Sequence, residues 1–163
     1  MTTAEKLVKV LTEKKMTCAT AESCTGGLIT AKLTAVPGAS DVVLGGVVSY
    51  AESVKEAVLG VPRATIDTYG VVSCEVAKAM AEGSLRVCKS DIAVSVTGYA
   101  GPGGGDRFAE VGTVCIGWAD EKESGAEKYY FYENGVISRD EVRALAAKTV
   151  LETAICRAEI IGG

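Results

Sequence analysis

The chain contains no histidine. That absence removes the Ser-His-Asp and Cys-His mechanisms and the usual zinc and non-haem iron sites, so acid-base chemistry falls to Lys, Tyr, Asp, Glu or Cys. An excess of basic charge is missing as well: 17 Lys and Arg stand against 21 Asp and Glu, for a net charge of -4. Binding to nucleic acid, which needs clustered cations to displace phosphate counterions, is not expected. A small anionic ligand needs only a few local donors and stays open. No apolar run approaches the roughly 18 residues of a membrane span, and the opening MTTAEKLVKV lacks the apolar core of a secretory signal. The expectation is therefore a cytoplasmic protein with no membrane partner. The six cysteines, at 18, 24, 74, 88, 115 and 156, include no C-x-x-C pair. They read as reduced, mostly buried small apolar residues, with Cys24 the one exception held open.

What is present suits a single domain. The 163 residues are 48% hydrophobic, enough for one compact unit over 1–163 with a core of its own. Thr2 with Glu5 forms a T-x-x-E capping box ahead of Leu7, Val8 and Leu11 at helical spacing, which predicts a helix over about 3–15. MTCATAES then reads as a buried strand running into Ser23, followed by a helix over about 25–35. DVVLGGVVSYA is a second strand, its Gly45-Gly46 pair predicting a bulge or a close backbone approach. A short helix over about 52–59 comes next, and Ser73 is placed to cap a longer one ending near Lys89. DIAVSVTG has the near-continuous apolar pattern of a strand covered on both faces. Two further strands, VGTVCIGWA and EKYYFYE, follow a glycine-rich loop, and a Ser138/Glu141 box opens a last helix to about Ile160. Strands alternating with helices predict a three-layer α/β domain, and the late strand pair without a helix between predicts that one strand is antiparallel.

In such a sheet, ligands gather beyond the carboxyl ends of the strands, and the candidate chemistry falls there. AESCTGG puts Ser23, Cys24 and Thr25 ahead of Gly26 and Gly27, whose backbone N–H groups have no Cβ in the way of an incoming oxygen. Two readings of this turn are open: a reactive corner with an anion cradle, or a Ser23 that does no more than cap a helix. SYAESVK places Tyr50 and Lys55 five apart; for Lys55 to serve as a base near neutral pH, its pKa must fall from about 10.4 by roughly 3, about 4 kcal/mol. Burial supplies that and exposure does not. TGYAGPGGG, with Thr97 ahead of Gly98 and Gly101, matches neither a P-loop nor a dinucleotide fingerprint. It reads as a backbone cradle or as a flexible connection. Arg139, in the first turn of the last helix, opposes the helix dipole; it reads as a cation placed to meet an anion or as an exposed surface arginine.

Taken together, TAESCTGGLI, VPGAS, GGVVSYAESVKEAVLGV, YGVVSCEVAKAMAEG and VTGYAGPGGG…VGTV resemble the CinA-type C-terminal domain family over about residues 4–156. The resemblance implies a three-layer α/β/α sandwich with a mixed, mostly parallel sheet containing an antiparallel strand. It implies a stand-alone deamidase domain that hydrolyses the carboxamide of nicotinamide mononucleotide to nicotinate mononucleotide and ammonia, in pyridine nucleotide salvage. By the same resemblance Ser23 is the nucleophile, Tyr50 and Lys55 its activating pair, and Thr25, Gly26, Gly27, Thr97, Gly98, Gly101 and Arg139 the substrate-binding set, with Arg143 the alternative to Arg139. It implies no cofactor and no metal, a pyridine mononucleotide as the small-molecule partner, and a homo-oligomer. Two places depart from the family pattern: Ala109-Glu110 where Lys-Pro is usual, and Ile137-Ser138 where Gly-Asp is usual. An inactive nucleotide-binding or regulatory module of the same fold is the alternative these departures motivate, and Cys24 is the alternative nucleophile.

Overall fold

The computed structural model describes residues 1–135 and 138–162. Among these, five strands form one sheet: β1 (Cys18–Glu22), β2 (Val43–Val48), β3 (Ile92–Gly98), β4 (Thr113–Asp120) and β5 (Ser124–Tyr130), in the order β2-β1-β3-β4-β5. β2, β1 and β3 are mutually parallel, and β4 runs antiparallel to β3 and β5. The one reversed strand expected from the missing helix is β4. The sheet is thus mixed and mostly parallel, as the resemblance implied.

Among the described residues six α-helices cover it: α1 (Thr3–Lys14), α2 (Leu28–Thr34), α3 (Glu52–Leu59), α4 (Arg63–Tyr69), α5 (Cys74–Cys88) and α6 (Arg139–Ile161). Side-chain alternation along the strands sorts them into two layers. On β3, Ile92, Val94 and Val96 join a core with Leu7 and Leu11 of α1, Ile29 and Leu33 of α2, and Val142, Ala146 and Val150 of α6. The intervening Ser95 and Thr97 face the other way, where their hydroxyls donate to the carbonyls of Ala77 and Val71 at and just before α5. A second core packs Ala21 of β1 against Leu59, Ile66, Val76 and Met80 of α3, α4 and α5. β3 is therefore buried on both faces, and its two polar side chains, Ser95 and Thr97, sit in the second layer with their hydroxyls bonded.

The helix ends follow their local chemistry closely. Thr2 and Glu5 form both halves of the capping box on α1, Ser73 accepts from the Val76 N–H, and Ser138 accepts from the Glu141 N–H. Three expectations need correction. EKYYFYE is strand only as far as Tyr130, where β5 ends, and Phe131–Asn134 forms a 3-10 helix. The helix after β1 begins at Leu28, not near residue 25, because residues 24–27 form a turn with Gly26 and Gly27 at positive φ. Moreover, α4 was not foreseen: only Ile66 within it is buried, so it carries no apolar stripe to reveal it. The Gly45-Gly46 expectation is met as a close approach at Gly46, while the bulge falls on Leu44 just before the pair. The β1–β2 register shifts between Cys18 and Ala19, and a Cβ on Gly46 would overlap the Thr20 and Thr30 hydroxyls.

Gly83 lets α3 lie against α5, since a Cβ there would strike the backbone carbonyl of Leu59. In an open helix, Gly→Ala gains about 1 kcal/mol. Here Gly83→Ala is expected to lose about 1–3 kcal/mol through overpacking, read as a lower urea midpoint, while Glu82→Ala on the exposed face changes it little.

Candidate active site

The chain passes from β1 to β2 on one side and, through α3, α4 and α5, to β3 on the other. The end of β1 is therefore a topological switch point, where a crevice opens beyond the strand termini. Ser23 is the first residue past β1, its N–H donating to the Val96 carbonyl at 3.1 Å. Around it lies a cleft of about 510 Å³, lined by Ser23, Cys24, Tyr50, Glu52, Lys55, Val71, Val72, Thr97, Gly98, Tyr99, Gly103, Gly104 and Arg139, among others. This volume is within the range of small-molecule sites, about 300–1,000 Å³. A groove of similar size among α1, α2 and α6 contains no nucleophile–base pair.

Lys55 is fully buried. Its Nζ lies 3.0 Å from Ser23 Oγ, 2.6 Å from the Ser49 carbonyl and 3.2 Å from the Tyr50 carbonyl. Desolvation lowers its pKa to about 8, while Glu52 and Cys24 act in the opposite direction. Glu52 is drawn off by Arg63, 2.9 Å from it. The three partners match the chemistry of an amine that gains and loses a proton. A neutral amine offers two N–H donors to the two carbonyls and one lone pair to the serine hydroxyl; the protonated amine offers three donors to the same three oxygens.

The Tyr50 phenol stands elsewhere. It is at the exposed rim of the cleft, within 3.5 Å of Arg139 Nη2, and Tyr50 reaches Lys55 through its backbone carbonyl. The side chain is thus outside the Ser23–Lys55 contact, contrary to the expected activating pair. Arg139 Nη1 donates to the Gly101 carbonyl at 2.8 Å, so this cation bridges the glycine-rich loop and the Tyr50 rim. Arg143 does something different: Nε and Nη2 donate to the carbonyls of Cys24 and Thr25, bracing the turn from behind. Of the two candidates, Arg139 is the one that lines the cleft.

The cradle expected from Thr25, Gly26 and Gly27 is largely occupied. Glu22, fully buried, accepts from Thr25 Oγ1 at 2.7 Å and from the Gly27 and Ile29 N–H groups through Oε1. Its Oε2 accepts from the N–H and hydroxyl of Thr30, and the Gly26 N–H is taken by the Ser23 carbonyl. Glu22, not Ser23, caps α2. Among the described residues no backbone carbonyl accepts from the N–H of Cys24 or Thr25. Those two donors follow Ser23 directly, and Thr25 is the one member of the expected set among them. Thr97 lies at the cleft wall with its hydroxyl donated to Val71, leaving its lone pairs for a ligand. Cys24 packs into the core, where burial pushes its thiol up to about 11, so it is not a neutral-pH thiolate.

Of the two departures, Ala109 is buried and Glu110 does not line the cleft. Ile137 lies outside the described residues, and Ser138 caps α6. Among the described residues no group of three or more Cys, Asp or Glu could hold a metal, and no helix is long and apolar enough to cross a membrane. Glu22 and the Ser49 carbonyl were not singled out from sequence. A glutamate ending an otherwise uncharged buried strand was the available signal for the first; the second is a backbone atom with no side-chain signature.

These features define a three-layer α/β/α domain with a serine–lysine pair at the switch point of its sheet. The chain belongs to the CinA C-terminal domain family, whose model matches residues 1–156. It is 47% identical over 146 residues to a CinA-like protein of Leptospira borgpetersenii, covering 89% of this chain and 34% of that protein. To a CinA-like protein of Chlorobaculum tepidum it is 51% identical over 126 residues, 77% of this chain and 30% of that protein. The chain spans about a third of the length of these relatives. The crystal structure of a competence/damage-inducible protein from Agrobacterium tumefaciens superposes with a TM-score of 0.88 at 37% identity, covering 94% of this chain and 92% of that one.

Burial orders the cysteines by reactivity. At neutral pH iodoacetamide is expected to alkylate exposed Cys156 well before Cys24, as read by peptide mass over time; Cys24 reacting first would contradict its placement.

Proposed function

We propose that the chain is a metal-independent amidohydrolase that converts nicotinamide mononucleotide to nicotinate mononucleotide and ammonia, with Ser23 as nucleophile and Lys55 as base. The observation that carries this reading is the 3.0 Å contact between Ser23 Oγ and an internal lysine whose pKa is lowered to about 8. A serine hydroxyl alone is a poor nucleophile, and a neutral amine within hydrogen-bond reach activates it. The carboxamide substrate class comes from the family resemblance, and the cleft volume and rim cation are compatible with it.

In the proposed reaction, neutral Lys55 takes the Ser23 proton as Oγ adds to the carboxamide carbon. The N–H groups of Cys24 and Thr25 are placed to receive the oxyanion. Lys55 then returns the proton to the departing nitrogen, which leaves as ammonia with an acyl-serine behind. Water, deprotonated by the same amine, hydrolyses that ester and restores Ser23. Arg139 offers its charge to the nucleotide phosphate at the cleft rim, beside the glycine-rich loop. Tyr99 is no competing base, because burial and its bond to Asp106 push its phenol up to about 12.

Purified protein incubated with nicotinamide mononucleotide is expected to release ammonia and the acid product. Ser23→Ala and Lys55→Met should each lower kcat by about 1,000-fold or more, as loss of a nucleophile or its base does, whereas Cys24→Ala should retain turnover. Because the base acts neutral, kcat/KM should rise about tenfold per pH unit below its pKa and level off above about 8. Arg139→Ala should act mainly on KM. Binding without turnover at high enzyme concentration would mark the inactive-module alternative instead.

A further inference from the structure

Glu22 and Ser23 are neighbours in the chain at the end of a strand, so their side chains leave opposite faces of the sheet. Ser23 goes to the α3 face and meets Lys55, whereas Glu22 goes to the α2 face and takes five hydrogen bonds from Thr25, Gly27, Ile29 and Thr30. Each carboxylate oxygen is used, and no cation shares the site among these contacts. The positive end of α2 and two threonine hydroxyls supply what a salt bridge would otherwise supply. Through its backbone carbonyl the same residue accepts the Ser49 N–H at 2.8 Å, and the Ser49 carbonyl in turn holds Lys55 Nζ.

We infer that Glu22 is the positioning residue of the site: its internal carboxylate closes the turn over α2, which holds Ser23 toward Lys55 and leaves the Cys24 and Thr25 N–H groups free for an oxyanion. This rests on Ser23 being the nucleophile. Without the carboxylate, buried donors of α2 and Thr25 lose their acceptor, and the turn that carries Ser23 must open to find others. An amide at the same place cannot substitute, because its NH2 would face the N–H and O–H donors of Thr30. Nor is α2 available to a substrate anion, since its leading N–H groups are already spent on Glu22. The nucleotide phosphate is thereby left to the Arg139 end of the cleft.

Glu22→Gln in the full chain is the test, read by turnover of nicotinamide mononucleotide and, separately, by the rate at which a fluorophosphonate labels Ser23. The expected result is a fall in kcat of about 100-fold, the scale of a misplaced reacting atom. KM should stay within about threefold, labelling should slow in parallel, and the apparent pKa of the pH profile should stay near about 8. A folded Glu22→Gln protein with wild-type labelling and kcat, or a loss confined to KM, overturns the inference. Should that variant fail to fold, Thr25→Val, which removes one donor to Oε1, decides in its place, with a fall in labelling rate of about tenfold expected and no change overturning it. Wild-type protein that is labelled but does not turn over the nucleotide would defeat the substrate assignment alone, leaving the labelling comparison to judge Glu22. Wild-type protein that neither turns over nor labels would overturn both.

Discussion

Burying a lysine amine where its neighbours are carbonyl oxygens and a serine hydroxyl, with no carboxylate bonded to it, sets the terms for the rest of this molecule. Water would hold the charged form far better than this pocket does, so the amine is pulled toward neutrality. The surroundings leave its pKa at about 8. Arg63 engages Glu52, the nearest acid on the same helix, and the Ser49 and Tyr50 carbonyls accept from either protonation state. The helix bearing Lys55 lies close enough for this because Gly83 presents no side chain to Leu59.

The sheet then divides two incompatible groups. A buried carboxylate next to Lys55 would raise its pKa and hold it charged. Glu22 sits one residue from Ser23, yet strand geometry sends it to the far layer, where α2 neutralises it. One peptide unit thus supplies a capped helix on one face and the hydroxyl that meets Lys55 on the other. Arg143 completes the arrangement by meeting the turn carbonyls of Cys24 and Thr25, so both ends of the Ser23 turn are anchored to different helices.

Much of the architecture was legible from the chain. Alternation, glycine placement and three capping signals at Thr2, Ser73 and Ser138 located most elements, because each depends on residues a few positions apart. α4 escaped, having only Ile66 to bury, and the start of α2 was placed too early because Ser23 looks like a cap when Glu22 is not considered. At the site, Ser23, Lys55, Thr97 and Arg139 were named and do line one cleft. Tyr50 was named for its phenol and contributes its carbonyl at the base, and the glycine turn was read as an empty cradle when a neighbouring side chain fills it.

By itself the sequence determined the α/β pattern, the family resemblance and, through the lack of histidine, that a serine here would need a lysine or another unusual base. Only the tertiary structure brings Ser23, rather than Cys24 or Thr25, within hydrogen-bond reach of Lys55, puts Arg139 rather than Arg143 on the cleft wall, and keeps Lys55 dry. The reason is physical: caps and periodicity are written within a turn or two of chain, whereas desolvation and hydrogen-bond partnership depend on groups brought together from 32 and 119 residues apart, as in Lys55 with Ser23 and Arg143 with Cys24.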